Sequence, residues 1–161
     1  MAIIKPNNNT LSSITALPTG LGGKVLQVVT AAQSTEQSSS SQSYVSCNTT
    51  VDITPSATSS KILVTVAGTG RQNNASDSTF FTIFRDSTNL EATSDKGFSQ
   101  TGALSGTRVL TGISINFLDS PSSTSELTYA LYMKSSSGGN ARSSVAGSTT
   151  TITVMEIAGW L

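Results

Sequence analysis

The chain has 161 residues, a net charge of zero, 11% charged residues and no histidine. A chain of this length fits one domain, alone or with a short arm. The charged fraction of 11% is less than half of the roughly 25% usual in soluble domains, so we expect no basic patch for nucleic acid or anionic lipid. Without histidine, the chain cannot form a Ser-His-Asp or Cys-His catalytic arrangement. Its single cysteine excludes an intrachain disulfide.

The first 23 residues differ in composition from the rest of the chain. Their asparagines, prolines and glycines break regular structure, and they lack the apolar core of a signal peptide. Their apolar side chains favour an arm that orders against a partner over a poorly ordered terminus. These side chains are Ile3, Ile4, Leu11, Ile14 and Leu17. We therefore predict an N-terminal arm over 1–23, a β domain over 24–161 and synthesis in a cytoplasm.

From Lys24 onward, the sequence predicts about eight β-strands separated by turns. The first is KVLQVVTAA. The clearest is YVSCNTTVDI, in which Cys47, Val51 and Ile53 fall on one face by strict alternation. This places Cys47 in the core, where burial makes a thiol structural and unreactive. The serine-rich stretch QSTEQSSSSQS between the two strands is either an exposed connection within the domain or a polar edge that continues the second strand.

The later strands follow in order along the chain. KILVTVAG is mostly apolar, which predicts a strand buried on both faces. STFFTIFRD runs into a predicted hairpin turn at Asp86 and Ser87. TRVLTGISINFLD, SELTYALYMKS and TTITVMEIAGWL complete the set, and no long amphipathic helix is predicted. About eight antiparallel strands predict an all-β fold, a jelly-roll-like antiparallel β-sandwich preceded by the extended arm.

Several predicted strands are apolar on both faces, as in KVLQVV, FFTIF and ITVMEI. A sandwich on its own leaves one face of each sheet in water. An identical chain is the simplest source of a second covering surface, so we predict a homo-oligomer. Glu156 lies inside ITVMEI, so a dry interface there would have to supply a partner for its carboxylate.

Little in the sequence indicates catalysis, and we predict no catalytic residues, no cofactor and no metal site. The acidic residues are scattered, and DSTNLE lacks the glycine and the length of a calcium loop. GTGRQNN contains GxG without the rest of a phosphate loop, which favours a long polar loop. No run approaches the roughly 18 apolar residues of a membrane span.

Three long polar stretches, RQNNASDS, SDKGFSQTGALSG and SSSGGNARSSVAGS, are predicted loops. Binding residues concentrate on such loops, although these could also be simple connections. The candidate binding residues are Arg71, Asn73, Asn74, Phe98, Asn140 and Arg142.

An ordered set of segments resembles a recurrent bacteriophage virion module of tail-fibre tips and head-fibre-like appendages. The segments are PSATSSKILV, FTIFRDS, LDSPSSTSELTY and TVMEI, and the resemblance covers roughly residues 23–159. It implies a jelly-roll-like sandwich, often trimeric, that is similar in outline to the heads of the tumour-necrosis-factor superfamily. One departure is that the chain has no extended shaft before this module.

The resemblance further implies a structural or adhesive role on the virion and no enzymatic activity. The arm would then be the virion anchor, bound to capsid or tail proteins. The loops would contact a host-surface glycan or protein. The alternative is a capsid decoration (cement) protein that stabilises the shell, and a less favoured one is a polysaccharide-degrading enzyme. Nucleic-acid binding and membrane insertion are not expected.

Overall fold

The computed structural model describes residues 24–74, 76–91, 95–102 and 109–159, so the predicted arm at 1–23 lies outside the described residues. Within them, the chain forms eleven β-strands and one short 3₁₀ turn. The strands are β1 (Val25–Gln33), β2 (Gln37–Ser39), β3 (Val45–Ile53), β4 (Lys61–Gln72), β5 (Ser78–Arg85), β6 (Thr88–Asn89), β7 (Ser99–Gly102), β8 (Val109–Asp119), β9 (Leu127–Ser135), β10 (Ala141–Ser143) and β11 (Thr150–Ile157). The 3₁₀ turn is Val145–Gly147. The all-β prediction is confirmed.

Eight of these strands form two antiparallel four-stranded layers. The long strands of sheet A have the order β1-β11-β4-β8, and β10 and β2 extend this sheet beside the far end of β4. Sheet B has the order β3-β9-β5-β7, and the short β6 also pairs with β5. Strand β1 pairs with β11, β3 with β9, β4 with β8 and β5 with β7. Among these eight strands, the first along the chain therefore pairs with the last, and each later pair lies inside the one before it. This nested pairing is the connectivity of a jelly roll, which confirms the predicted fold.

The core lies between the two sheets and is built by alternation along the strands. In β3, the side chains from Cys47 to Ile53 alternate between buried and exposed, with Cys47, Val51 and Ile53 buried as the sequence predicted. In β4, Ile62, Val64 and Val66 are buried. Strand β4 is therefore not buried on both faces as KILVTVAG suggested, because the residues between these three lie on the outer face of sheet A and stay partly exposed.

Short polar strands occupy stretches that the sequence analysis assigned to loops. Strand β4 continues through the GTGRQ segment to Gln72, β7 lies within SDKGFSQTGALSG, and β10 lies within SSSGGNARSSVAGS. These segments have little hydrophobic periodicity, and their backbones are paired by neighbouring strands. Position 70 of β4 requires glycine, because a Cβ there would collide with the Phe81 ring at 2.6 Å.

Two further features concern connections between strands. Strand β2 lies in the serine-rich stretch and pairs with β10, so part of that stretch is an edge strand of sheet A. The predicted hairpin turn joins β5 to β6, with Asp86 at a φ of 51°. The Asp86 carboxylate accepts a hydrogen bond of 2.9 Å from the backbone N–H of Thr128, which ties this turn to β9.

Candidate functional site

An open groove of about 400 Å³ lies on the outer face of sheet B, and we call it the aromatic groove. Tyr44 and Phe84 line it, and Tyr132 stacks on Phe84 beside it. The remaining lining residues are polar or charged: Gln42, Ser43, Asn89, Glu91, Asp95 and Lys134. Aromatic rings combined with a few polar groups in a concave site are typical of ligand-binding pockets.

The alternation of β5 and β9 places the rings on this face. Tyr132 pairs with Thr82 in the ladder, and Phe84 pairs with Ala130, so all four side chains point away from the core. The Phe84 and Tyr132 rings stack with centroids 4.1 Å apart at 27°. The Tyr44 ring meets the Phe84 ring edge-on at 6.2 Å. The three rings form a continuous, half-buried apolar surface.

Lys134 lies beneath this surface and is only 6% exposed. Its Nζ lies 4.8 Å from the centroid of the Tyr44 ring and 5.7 Å from that of Phe80. It also forms a 2.5 Å ion pair with the carboxylate of Asp95, a side chain that is 92% exposed. The cation–π contacts and the ion pair fix the ammonium group and hold Asp95 at the rim of the groove.

Hydrogen bonds order the polar rim. The Thr82 hydroxyl donates to Asn89 Oδ1 at 2.6 Å, and the backbone N–H of Glu91 donates to the same oxygen at 3.2 Å. The Tyr44 hydroxyl donates to the backbone carbonyl of Asp95 at 3.3 Å. Burial, followed by the charges of Asp95 and Glu91, raises the pKa of Tyr44 to about 12, so its phenol stays neutral and able to donate.

Five of the six candidate loop residues lie together at one end of sheet A. Arg71 and Arg142 are direct cross-strand neighbours on β4 and β10. The Asn73 backbone N–H donates to the Asn140 carbonyl at 3.3 Å, and the Asn140 N–H donates to the Asn74 side chain at 3.2 Å. The sequence predicted these residues as separate loop positions, and the pairing of β4 with β10 brings them into one cluster.

This arginine cluster is already partly neutralised. The Glu36 carboxylate forms an ion pair with Arg142 and lies 3.8 Å from the Arg71 guanidinium. The buried Nε atoms of both arginines have no hydrogen-bond partner among the described residues. The cluster carries two positive charges against one negative charge and retains hydrogen-bonding capacity.

The other predicted site residues lie elsewhere. Phe98 is half-buried against the core, with its ring centroid 5.0 Å from that of Phe117, and it is separate from the arginine cluster. The candidate virion-anchor residues Ile3, Ile4, Leu11, Ile14 and Leu17 lie outside the described residues.

The sequence analysis did not identify the residues of the aromatic groove. The available signal was the outward face of two predicted strands: Tyr132 and Lys134 alternate with the core residues of β9, and Phe84 lies opposite Ile83 in β5. An aromatic residue on the face that should be wet is an unusual position for a large apolar ring. Periodicity does not reveal that β5 and β9 are neighbours, so the cluster itself could not be predicted.

Three buried carboxylates serve the fold as hydrogen-bond acceptors. Asp77 accepts bonds from the Ser135 and Ser136 hydroxyls and from the backbone N–H groups of Ser78, Ser137 and Gly139. Burial alone would raise the pKa of Asp77, but these donors outweigh it and hold the pKa well below its usual range. The side chain is thus an anion that links β5 to the loop after β9.

Glu156 lies on the inner face of sheet A, where it is 1% exposed. It accepts hydrogen bonds from the Ser56 and Ser60 hydroxyls, each at 2.6 Å, and from Gln27 Nε2 at 2.7 Å. Burial alone would raise the pKa of Glu156, but these bonds lower it to about 2. The sequence analysis predicted that a dry interface at this strand would have to supply a partner for Glu156. The chain supplies the partners itself, because alternation turns Glu156 inward.

Asp119 is the third of these carboxylates. Arg85 Nη1 and the Tyr129 hydroxyl both donate to its Oδ2, at 2.6 Å and 2.7 Å. Burial and the neighbouring Asp119 charge raise the pKa of Tyr129, so the phenol stays protonated. The three residues link the end of β8 to both β5 and β9.

The outer face of sheet A is the second surface of interest, and we call it the sheet A face. An apolar row crosses all four strands at one level: Val28 pairs with Met155, Met155 with Leu63, and Leu63 with Leu118. Val28 is 56% exposed and Leu118 is 53% exposed. Beyond this row the outward side chains are mostly threonine, alanine, serine and asparagine.

Two absences apply to the described part of the chain. It contains no group of three or more acidic or cysteine side chains placed to hold a metal ion. Nor does it contain a helix with the length and hydropathy needed to cross a bilayer.

Comparisons with known proteins give structural matches only. No family model matches the chain, and no curated protein sequence matches it. Its structure is similar to that of the infectious bursal disease virus VP2 subviral particle, with 12% identity and a TM-score of 0.44 over 83% of this chain and 38% of that one. For the T13 particle of that virus, the identity is 12% and the TM-score 0.42, over 81% of this chain and 37% of that one. For its Gx strain, the identity is 15% and the TM-score 0.37, over 86% and 37%.

The chain spans well under half of the length of each of these viral proteins. At these identities and TM-scores, the likeness carries no argument about function.

Proposed function

We propose that this chain is a structural protein of a bacteriophage virion: a short, trimeric, knob-like appendage that the N-terminal arm anchors and that contacts the host surface. The ordered sequence segments that resemble phage appendage modules support the virion setting. The observation that carries the proposal is the sheet A face, which has the character of a surface made to be covered by another protein.

The apolar row favours burial of the sheet A face against another protein. Four apolar side chains, Val28, Met155, Leu63 and Leu118, lie side by side across the full width of the sheet. Two of them are more than half exposed. Contiguous apolar surface of this kind marks interaction sites, whereas isolated exposed apolar residues are ordinary.

The polar part of the sheet A face can also be buried at low cost. The Thr30 and Thr153 hydroxyls hydrogen-bond each other at 2.9 Å, and Thr30 also donates to the Ile152 carbonyl at 3.2 Å. Burying a hydroxyl without a partner is costly, but these hydroxyls are already paired within the sheet. Between the levels of Lys61 and Arg71, the described outward side chains of sheet A are uncharged.

A second copy of the chain is the partner that this face fits. A surface without charge offers nothing to select a charged partner, whereas apolar and threonine-rich surfaces can pack against themselves in closed symmetric assemblies. Trimeric symmetry is part of the proposal because the resembling modules are often trimers.

We also propose that the protein is not an enzyme. The buried carboxylates Asp77, Asp119 and Glu156 are occupied as acceptors within the fold. The pKa values of Asp77 and Glu156 are lowered, whereas a general acid needs a raised one. Incubation with host polysaccharide tests this point, and reproducible shortening of the polysaccharide chains would contradict it.

The mass of the full chain in solution tests the assembly. Sedimentation velocity should give the mass of a trimer at micromolar concentration. A strict monomer would overturn the assembly proposal.

Truncation and imaging test the virion role. A variant lacking residues 1–23 should fold and lose its incorporation into particles, and truncated protein that still loads would refute the anchor. In images of assembled particles, density at a protruding tip would support the appendage. Density that bridges neighbouring shell proteins would instead support the capsid decoration alternative.

A further inference from the structure

We propose that the aromatic groove is a binding site for a neutral pyranose unit of a polysaccharide. This inference deepens the attachment part of the proposed function and rests on it for its biological setting. Three features support it: the stacked rings, a hydrogen-bonding rim and a lining whose basic residue is already paired.

The rings supply the apolar half of the site. Phe84 and Tyr132 stack at 4.1 Å, and Tyr44 adds a third ring edge-on to Phe84. All three are half-buried, so each is held in place by its neighbours and still presents part of its surface. A pyranose carries several C–H groups on one face of its ring, and that face is a suitable partner for an aromatic surface. Two-torsion aromatic side chains also lose little entropy on binding.

The rim supplies the polar half. Asp95 presents carboxylate oxygens, and Gln42 and Asn89 present amides. Sugar hydroxyls both donate and accept hydrogen bonds, so carboxylates and amides together can satisfy them. The groove volume of about 400 Å³ lies within the roughly 300–1,000 Å³ of small-molecule sites.

The described lining of the groove offers an acidic sugar no accessible cation. It contains the acidic residues Glu91 and Asp95 and the single basic residue Lys134. The Lys134 ammonium group is tied to Asp95 and covered by the Tyr44 ring, so it is not presented to an incoming anion. Recognition of a carboxylated or phosphorylated sugar relies on an exposed cation, so this lining favours a neutral sugar.

The first experiment uses the full chain on an array of neutral and acidic bacterial oligosaccharides, followed by saturation-transfer NMR with the best neutral ligand. We expect binding to neutral sugars, with saturation transferred to the C–H protons of one pyranose face. Tyr132→Ala should weaken binding roughly tenfold, because the Phe84 ring that lines the groove loses the ring stacked against it. Because Tyr132→Ala could disturb β9, the exposed rim variant Gln42→Ala is the second test. It should weaken binding roughly threefold through one lost hydrogen bond.

The matched control is Thr58→Ala, at an exposed position of the connection between β3 and β4 that belongs neither to the groove nor to the sheet A face, and it should leave sugar affinity unchanged. Absence of binding across the array would overturn the inference. So would a preference for acidic sugars, unchanged affinity in folded Tyr132→Ala and Gln42→Ala, or a groove that binds peptides instead.

The solution mass separates this inference from the assembly proposal. A monomeric chain that binds neutral sugars through Tyr132 would overturn the assembly and leave the groove standing. A trimer that binds no sugar would do the reverse.

Discussion

At the scale of single residues, Glu156 illustrates how this sandwich accommodates charge in its interior. A carboxylate that is 1% exposed would be very costly without partners. Here Ser56, Ser60 and Gln27 surround it with donors. These donors come from β1 and from the connection between β3 and β4, so the buried charge fastens that connection to the end of sheet A.

We expect Glu156→Gln to lower the free energy of unfolding by roughly 1–3 kcal/mol near neutral pH, because an amide matches this set of donors poorly. The pKa of Glu156 is lowered from 4.5 to about 2 in the folded protein. The ionised carboxylate therefore stabilises the fold fully at pH values above 4.5, the pKa it has in the unfolded chain. That contribution is lost as the pH falls from about 4.5 toward about 2, and the difference between wild type and variant should shrink with it. Urea denaturation near neutral pH and at about pH 3 measures this. The exposed Glu126→Gln is the matched control, and an equal effect of both substitutions would refute the role of Glu156.

The thiol of Cys47 gives a second residue-scale prediction. Cys47 is fully buried, and this burial raises the pKa of its thiol to about 12. We expect iodoacetamide to modify the folded protein at least about a hundredfold more slowly than the urea-unfolded chain, as followed by mass spectrometry. Rapid stoichiometric modification of folded protein would contradict the structural role of Cys47.

At the scale of elements, the loop after β9 depends on a close approach of backbone to side chain. The Gly139 N–H donates to Asp77 Oδ2 at 2.6 Å, and a Cβ on Gly139 would lie 2.0 Å from the same oxygen. Gly112 on β8 has nothing within 4 Å of the corresponding position. The two glycines therefore form a natural pair for comparison.

We expect Gly139→Ala to lower stability by roughly 1–3 kcal/mol, since the methyl group displaces the Asp77 carboxylate from its donors. Gly112→Ala should be neutral or stabilise the fold by up to about 1 kcal/mol, because alanine restricts the unfolded chain. Thermal unfolding of both variants measures the difference. Equal melting temperatures for the two variants would show that the contact at Gly139 is unimportant.

Some strands could be predicted from the sequence and others could not. Strands β3, β8, β9 and β11 were predictable because one face of each is buried and their side chains alternate accordingly. Strands β2, β7 and β10 were not, because they are three or four residues long, are mostly polar and depend on pairing with neighbouring strands.

For the candidate sites, single residues could be identified from the sequence, but their spatial neighbours could not. Arg71 and Arg142 were singled out by residue type, but their adjacency depends on β4 extending beyond its apolar part. The aromatic groove depends on non-local pairing of β5 with β9, which local periodicity does not contain.

At the scale of the whole molecule, the two outer faces differ in chemistry. The outer face of sheet B carries aromatic rings and charged groups, whereas the sheet A face carries an apolar row and uncharged polar residues. This difference is the basis for assigning ligand binding to one face and self-association to the other.

We expect Leu118→Lys to convert the assembled protein largely to monomers, because it would bury an unpaired charge in the proposed interface. Sedimentation velocity at several concentrations measures this. Thr50→Lys, at an exposed position of β3 in sheet B, is the control and should leave the mass unchanged. An oligomer that persists in Leu118→Lys would move the interface away from the sheet A face.

The nested pairing of the strands has a consequence for how the protein is made. In the described part of the chain, the ladder partner of β1 is β11, and β11 is also the strand that joins β1 to β4. During translation, β1 leaves the ribosome early but has no place in sheet A until β11 has been synthesised, more than a hundred residues later. Such long-range closure slows folding. If residues 1–23 are the anchor proposed above, they would join a closed sandwich only once synthesis is nearly finished, which would keep unfinished chains from being mounted.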